Sequence, residues 1–141
     1  MLSNRVSIKR YRSMVAPASR HGEGEHELQC ECVRIFRLKH PKLASLLFAI
    51  PNGGQRHQVV AAKMKREGVL SGVPDLLLAV PCGKYHGLWV EMKYGKNTLT
   101  ENQRKMFALL TEQGYKCAEV RSVEEFIEVT EDYLKTDQKR L

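Results

Sequence analysis

The sequence predicts a mixed α/β fold in which one central sheet is flanked by helices. Segments of helical and strand periodicity follow one another in the order α, β, α, β, β, α, β, α. Gly, Pro and Asn clusters and helix-capping patterns separate them. One pair of strand segments lies in "SGVPDLLLAVPCGKYHGLWVEMK", Ser71 to Lys93, and is joined by a short turn around Cys82-Gly83-Lys84. An antiparallel hairpin therefore sits within an otherwise alternating pattern, which makes the sheet mixed.

The first helix is "EHELQCECVRIFRLKH", ended by Pro41. Leu28, Cys32, Ile35, Phe36 and Leu38 recur at helical spacing, and Glu25 and Gln29 share their stripe. An acid and an amide thus point toward the core side. The alternative is a solvated Glu25, in the first turn where acids favour the helix dipole. "SLLFAI" reads as a short strand closed by the turn Pro51-Asn52-Gly53-Gly54. "QRHQVVAAKMKRE" is rich in helix formers and stops at Gly68. The hairpin strands run near Asp75 to Val80 and near Gly87 to Tyr94. Thr100-Glu101-Asn102-Gln103 is a capping-box pattern opening "ENQRKMFALLTEQ", with Gly114 as its stop. "YKCAEV" is a further strand, and Ser122-Val123-Glu124-Glu125 is a second capping box leading into "VEEFIEVTEDYL".

A chain of 141 residues suits one domain with a real core. Its 43% hydrophobic and 28% charged residues are ordinary for a soluble globular protein. No apolar run approaches the roughly 20 residues of a membrane span, and no secretory signal is visible. Cys30, Cys32, Cys82 and Cys117 lack zinc-ribbon spacing, so free thiols in a reducing cytosol are expected.

The formal charge is +7, and five of the basic residues (Arg5, Lys9, Arg10, Arg12, Arg20) fall in residues 1–22, which contain no acid. This divides the chain into a basic, flexible arm, 1–22, and a single domain, 23–141. Attraction to polyanions would be mainly the arm's contribution. A transit peptide or an inert basic tail fits the same composition.

Residues two apart on a strand share a face, so Trp89, Glu91 and Lys93 project together. Opposed residues of an antiparallel hairpin have a constant sum of numbers. A turn centred on Gly83 and Lys84 gives a sum near 167, which sends Asp75 and Glu91 to opposite faces. Sums of 166 or 168 place Asp75 opposite Glu91 or Lys93, clustering an Asp, a Glu and a Lys at the open end. Two close carboxylates raise each other's pKa unless a cation intervenes. Oxygen ligands of this kind suit Mg²⁺ or Mn²⁺, and a neighbouring Lys can assist an attacking water. Taken singly, Glu91 and Lys93 would be solvated charges or a surface ion pair.

Pro74-Asp75 followed by Glu91-Met92-Lys93 is the pattern of the PD-(D/E)xK nuclease superfamily. The fuller set "EHELQ", "LFAIPNGGQR", "AAKMKREGVLSGVPDLLL", "GLWVEMK", "LTENQRKMFALLTEQGY" and "VEEFIEVTEDYL", in that order, resembles the VRR-NUC domain. That nuclease family occurs as stand-alone phage and bacterial proteins and as the C-terminal nuclease module of larger DNA-repair enzymes. The resemblance covers roughly residues 25–134.

It implies a restriction-endonuclease-like α/β/α fold and a metal site of Glu25, Asp75 and Glu91, with the Met92 carbonyl as a further ligand. Lys93 takes the catalytic lysine position, and Gln103 matches a glutamine beside the site, a role that can coexist with its capping box. Gln29 matches a supporting position, and Asn52, Gly53, Gly54 and Arg56 match a loop that meets the phosphate backbone or else forms only a tight turn. The implied activity is Mg²⁺- or Mn²⁺-dependent hydrolysis of DNA, leaving a 5′-phosphate and a 3′-hydroxyl. The implied substrate is branched DNA such as a four-way (Holliday) junction, the working unit a homodimer, and the location cytoplasmic. Two rival readings are a nucleic-acid-binding module with an inactive site and an RNA nuclease of the same fold.

Overall fold

The computed structural model describes residues 24–51 and 58–136. Among these, α1 (Gly24–Lys39) leads through a 3-10 turn (Pro41–Leu46) into β1 (Leu47–Ala49). Then come α2 (Gln58–Arg66), β2 (Leu76–Leu78), β3 (Leu88–Met92), α3 (Glu101–Glu112), β4 (Lys116–Val120) and α4 (Val123–Lys135). The element order matches the sequence expectation, with the 3-10 turn added. Pro41 opens that turn, and the Arg37 guanidinium donates to the carbonyls of Ala44 and Leu47, so the strand begins two residues later than its apolar run. The arm 1–22 and the loop residues Asn52, Gly53, Gly54 and Arg56 lie outside the described residues.

The strands form one sheet in the order β1-β2-β3-β4, antiparallel for the first three and parallel between β3 and β4. The register puts Leu47, Leu76, Leu78, Leu88, Val90, Met92 and Val120 on one face, where they form the core with Cys32 and Phe36 of α1 and Phe126 and Tyr133 of α4. Phe36 meets Phe126 edge-on at 6.5 Å between ring centroids, a geometry that aromatic quadrupoles favour. At the far end of α1, Lys39 Nζ and His40 Nε2 hold Glu131 of α4 at 2.8 and 2.9 Å.

Phe48, Leu77, Trp89, Glu91, Cys117 and Glu119 occupy the opposite face. There α3 lies over the sheet: the Cys117 thiol contacts the Phe107 carbonyl at 3.9 Å, and Gln103 reaches Glu91. The sheet is thus flanked by helices on both faces, as a restriction-endonuclease-like architecture requires. All four cysteines are free.

Both predicted caps form, one of them only by half. Thr100 and Gln103 make the full reciprocal box. Ser122 accepts the Glu125 N–H at 3.1 Å, but the Glu125 carboxylate turns to the Arg121 N–H instead of the cap.

The hairpin contains an irregularity that decides its chemistry. Cys82 pairs with Tyr85 across the turn, a sum of 167, whereas Leu76, Leu77 and Leu78 pair with Val90, Trp89 and Leu88, a sum of 166. Ala79, Val80 and Pro81 therefore face only His86 and Gly87, a bulge of one residue on the first strand. Pro81 has no N–H to lose from the ladder. The Tyr133 hydroxyl donates to the Val80 carbonyl at 2.5 Å, and the Ala79 N–H donates to the Leu46 carbonyl at 2.8 Å, so the displaced backbone stays paired. Without this extra residue, Asp75 and Glu91 would lie on opposite faces.

Candidate active site

The 166 register places Asp75 opposite Glu91 at the open end of the hairpin. Asp75 directly precedes β2, and its carbonyl accepts the Ile50 N–H at 2.9 Å, which ties it to the end of β1. Because β2 begins only at Leu76, the Met92 N–H meets the Asp75 side chain, whose Oδ2 accepts it at 2.8 Å. Glu91 pairs with Glu119 in the ladder between β3 and β4, and Lys93 continues that ladder by donating its N–H to the Val120 carbonyl at 2.9 Å.

Neither charge is solvated. Glu91 is 2% exposed and Lys93 6%, so the surface-ion-pair alternative does not hold. Burial is produced by the sheet on one side and α3 on the other. Lys93 Nζ stands 3.8 Å from Glu91 Oε1, beyond a hydrogen bond but close for a charge pair in a dry environment. The same Oε1 accepts the Gln103 side-chain amide at 2.8 Å. Gln103 also accepts the Thr100 N–H through its own Oε1 at 2.9 Å, so one side chain fills both roles that the sequence allowed.

Glu91 Oε2 is buried and has no hydrogen-bond partner among the described residues. Asp75 and Glu91 lie close enough to share a proton when one of them is protonated, whereas two ionised carboxylates, both acceptors, form no hydrogen bond. Burial, reinforced by the Asp75 charge and opposed by Lys93, pushes the Glu91 carboxyl up to about 8. Burial raises Asp75 as well, against the opposing effects of the Met92 N–H, Glu91 and Lys93.

Glu25 is half-buried in the first turn of α1. Burial raises its pKa, the Asp75 charge adds to the rise and Lys93 opposes it, which puts all three carboxyls in one electrostatic neighbourhood. Tyr94, next to Lys93, lies against the start of α1: a Cβ added at Gly24 would fall 2.3 Å from its ring. Gly24 leaves room for the ring there, and the contact sets Glu25 beside the strand that carries Glu91 and Lys93. Neither Tyr94 nor this use of Gly24 was visible in the sequence, where Gly24 reads only as punctuation.

Asn102 was missed too. Its amide donates to Ser71 Oγ at 3.3 Å, fastening the segment before Asp75 to the turn of α3 that carries Gln103. Gln29, one helical turn beyond Glu25, lines an open groove of about 550 Å³ with His26, Cys30, Val33 and Arg34.

The donor set is all oxygen, as hard divalent cations prefer. A buried carboxylate with a partnerless oxygen and a second carboxyl beside it is costly alone and suits a cation. Among the described residues, no three His, Cys, Asp or Glu side chains are gathered as a metal cluster, so the fit rests on the Asp75–Glu91 pair, with Glu25 within electrostatic reach.

The VRR-NUC domain family model matches residues 11–124, reaching back into the basic arm. A solved structure described as "VRR_NUC domain protein" superposes with a TM-score of 0.71 at 29% identity, covering 82% of this chain and 92% of that one. No curated protein matches the chain significantly. Sequence and fold therefore agree, and the chain belongs to the VRR-NUC domain family of PD-(D/E)xK-like nucleases.

Proposed function

We propose that this protein is a divalent-metal-dependent endonuclease that hydrolyses DNA phosphodiester bonds. Its preferred substrate is branched DNA such as a four-way junction, which it cuts as a homodimer. The observation that carries the reading is the buried Glu91 carboxyl, whose Oε2 has no partner among the described residues, with Asp75 and Lys93 beside it.

Asp75 and Glu91 would hold Mg²⁺ or Mn²⁺, with Glu25 as a further carboxylate. A strand residue sends its N–H and C=O to the same edge, so the Met92 carbonyl belongs on the Asp75 side of the set. Such an ion supplies Lewis-acid polarisation of phosphate and water. The protein's own groups do the rest. The Met92 N–H fixes the Asp75 carboxylate, and Gln103 fixes one oxygen of Glu91 and leaves the other free. Lys93 orients the attacking water and neutralises charge growing on the phosphate oxygens. Asn52, Gly53, Gly54 and Arg56 would meet the phosphate backbone, and the arm 1–22 would add affinity without chemistry.

One domain with one site cuts one strand per engagement, and symmetric cutting of a junction needs two sites related by a two-fold axis. The test is a panel of linear, nicked, flapped and four-way DNA with matched RNA, each with Mg²⁺, Mn²⁺, Ca²⁺ or EDTA, alongside light scattering of the free protein. Paired cuts in the junction by a dimer support the reading. Preferential RNA cleavage or metal-insensitive binding without cleavage contradicts it, and uncoupled nicks by a monomer remove the dimer.

A further inference from the structure

α2 stands apart from the core. It supplies no residue to the hydrophobic cluster or to the apolar side chains packed on it. Val59 is 76% exposed, and Val60, Ala61, Ala62, Lys63, Lys65 and Arg66 are exposed as well, with Met64 half-buried. A helix of nine residues that buries so little is marginal by propensity alone.

The described chain on either side of it nevertheless meets the candidate site. Ahead of it, the Ile50 N–H is bonded to the carbonyl of Asp75. After it, Ser71 is held by Asn102, the neighbour of Gln103. Gly72, at φ 92°, packs so tightly on the Asn102 carbonyl that an added Cβ would fall 2.6 Å from that oxygen. The chain then passes through Pro74 to Asp75. α2 thus belongs to a stretch of chain whose described flanks, Ile50 and Ser71 to Asp75, lie at the carboxylate cluster.

Its charge has one sign. Lys63, Lys65 and Arg66 are basic, the helix itself holds no acid although Glu67 follows its last residue, and among the described residues none of the three makes an ion pair. Lys63 and Arg66, three apart, share a face. A site of three carboxyls repels phosphate, so a polyanion approaching it needs cations beside it. A second copy of the chain fits this helix poorly. The protein carries +7, and a two-fold contact through α2 would set its three cations against the same three.

We propose that α2 is a phosphate-backbone surface, on which Lys63, Lys65 and Arg66 hold the nucleic-acid strand flanking the scissile phosphate. The proposal rests on the nuclease reading above and adds to it a helix and three residues. Contacts of this kind position the substrate without reading sequence.

The test is Lys63→Gln/Lys65→Gln/Arg66→Gln, which keeps helix-forming residues, measured for binding to labelled DNA in Ca²⁺ across a salt series. A charge-matched control, Lys84→Gln/Lys116→Gln/Lys135→Gln, changes the turn end of the sheet, where Lys84 and Lys116 lie over Tyr85. The α2 variant should bind at least about tenfold more weakly, with a salt slope shallower by about 2 to 3, one released counterion per lost contact. Its single-turnover rate in Mn²⁺ at saturating DNA should stay within about twofold, since uniform binding loss does not alter the chemical step. Amides of α2 should gain hydrogen-exchange protection when wild-type protein binds DNA.

A wild-type slope in the α2 variant, or an equal loss in the control, overturns the proposal while leaving the nuclease reading intact. Loss of dimer mass with an unchanged slope overturns it too, and assigns α2 to a second copy. A wild type that neither binds nor cuts nucleic acid would remove the nuclease reading itself, and this proposal with it.

Discussion

Gln103 joins the first turn of α3 to Glu91: its side-chain amide donates to Glu91 Oε1 at 2.8 Å while its Oε1 accepts the Thr100 N–H at 2.9 Å. A capping residue is thereby made part of the carboxylate cluster, and helix position and acid orientation become one variable. Gln103→Ala should lose both contacts, lowering stability by about 1 to 2 kcal/mol. Gln103→Glu keeps a cap acceptor but sets a third carboxyl against Glu91, so it should melt near wild type and still cut DNA poorly. Thermal melts read beside cleavage rates separate the two effects. Two variants that melt alike and cut alike would contradict the dual role.

The raised acids fix how the metal-free protein responds to pH. Glu91 moves from an ordinary 4.5 to about 8, so between those values the folded protein binds more protons than the unfolded chain. Stability from this group is then fully present below about 4.5 and is lost as pH rises through about 8, a change on the order of a few kcal/mol at most. Metal-free wild type should melt lower at pH 9 than at pH 6. Glu91→Gln should flatten that slope and exceed wild type at pH 9. Denaturant melts in EDTA across pH 5.5 to 9 test this, and a wild-type slope of opposite sign would contradict it.

Gly72 is required for two reasons at once, its φ of 92° and its contact with the Asn102 backbone. Gly72→Ala brings left-handed strain of roughly 1 to 2 kcal/mol plus a clash with backbone that cannot swing away. Because the residue fixes the approach to Asp75, cleavage by the fraction that remains folded should fall as well. A variant with wild-type stability would show that this packing is dispensable.

Lys93 is expected to act on the attacking water rather than to hold the cation. Lys93→Ala should cut at least about 10²-fold more slowly, the lower range for a positioned proton-transfer group. Mn²⁺ affinity by calorimetry should change little. A fall in affinity equal to that of Asp75→Asn would place Lys93 among the ligand supports.

Much of this was legible in the sequence because hydrophobic period and caps are local. The helix over "EHELQCECVRIFRLKH", the Thr100 box and the pairing of Trp89, Glu91 and Lys93 on one face all follow from spacing. The hairpin register was not. A turn on Gly83 and Lys84 taken at face value scatters Asp75 and Glu91, and the one-residue bulge that reunites them is marked only by Pro81. It is held by Tyr133, some 53 residues away in sequence, a partner no local pattern names. The burial of Glu91 and Lys93 was equally hidden, since exposure depends on α3 covering that face. The Tyr94 ring on Gly24 and the Asn102–Ser71 bond are likewise products of tertiary packing.

The central claim is that Asp75 and Glu91 hold a divalent cation needed for strand cleavage. Its most direct test is single-turnover cleavage of a four-way junction by wild type, Asp75→Asn and Glu91→Gln, each with Mg²⁺, with Mn²⁺ and in EDTA. Wild type should cut with Mg²⁺ or Mn²⁺ and stop in EDTA, and both variants should be inactive while still binding the junction. Full cleavage in EDTA, or wild-type rates in both variants, would contradict the account.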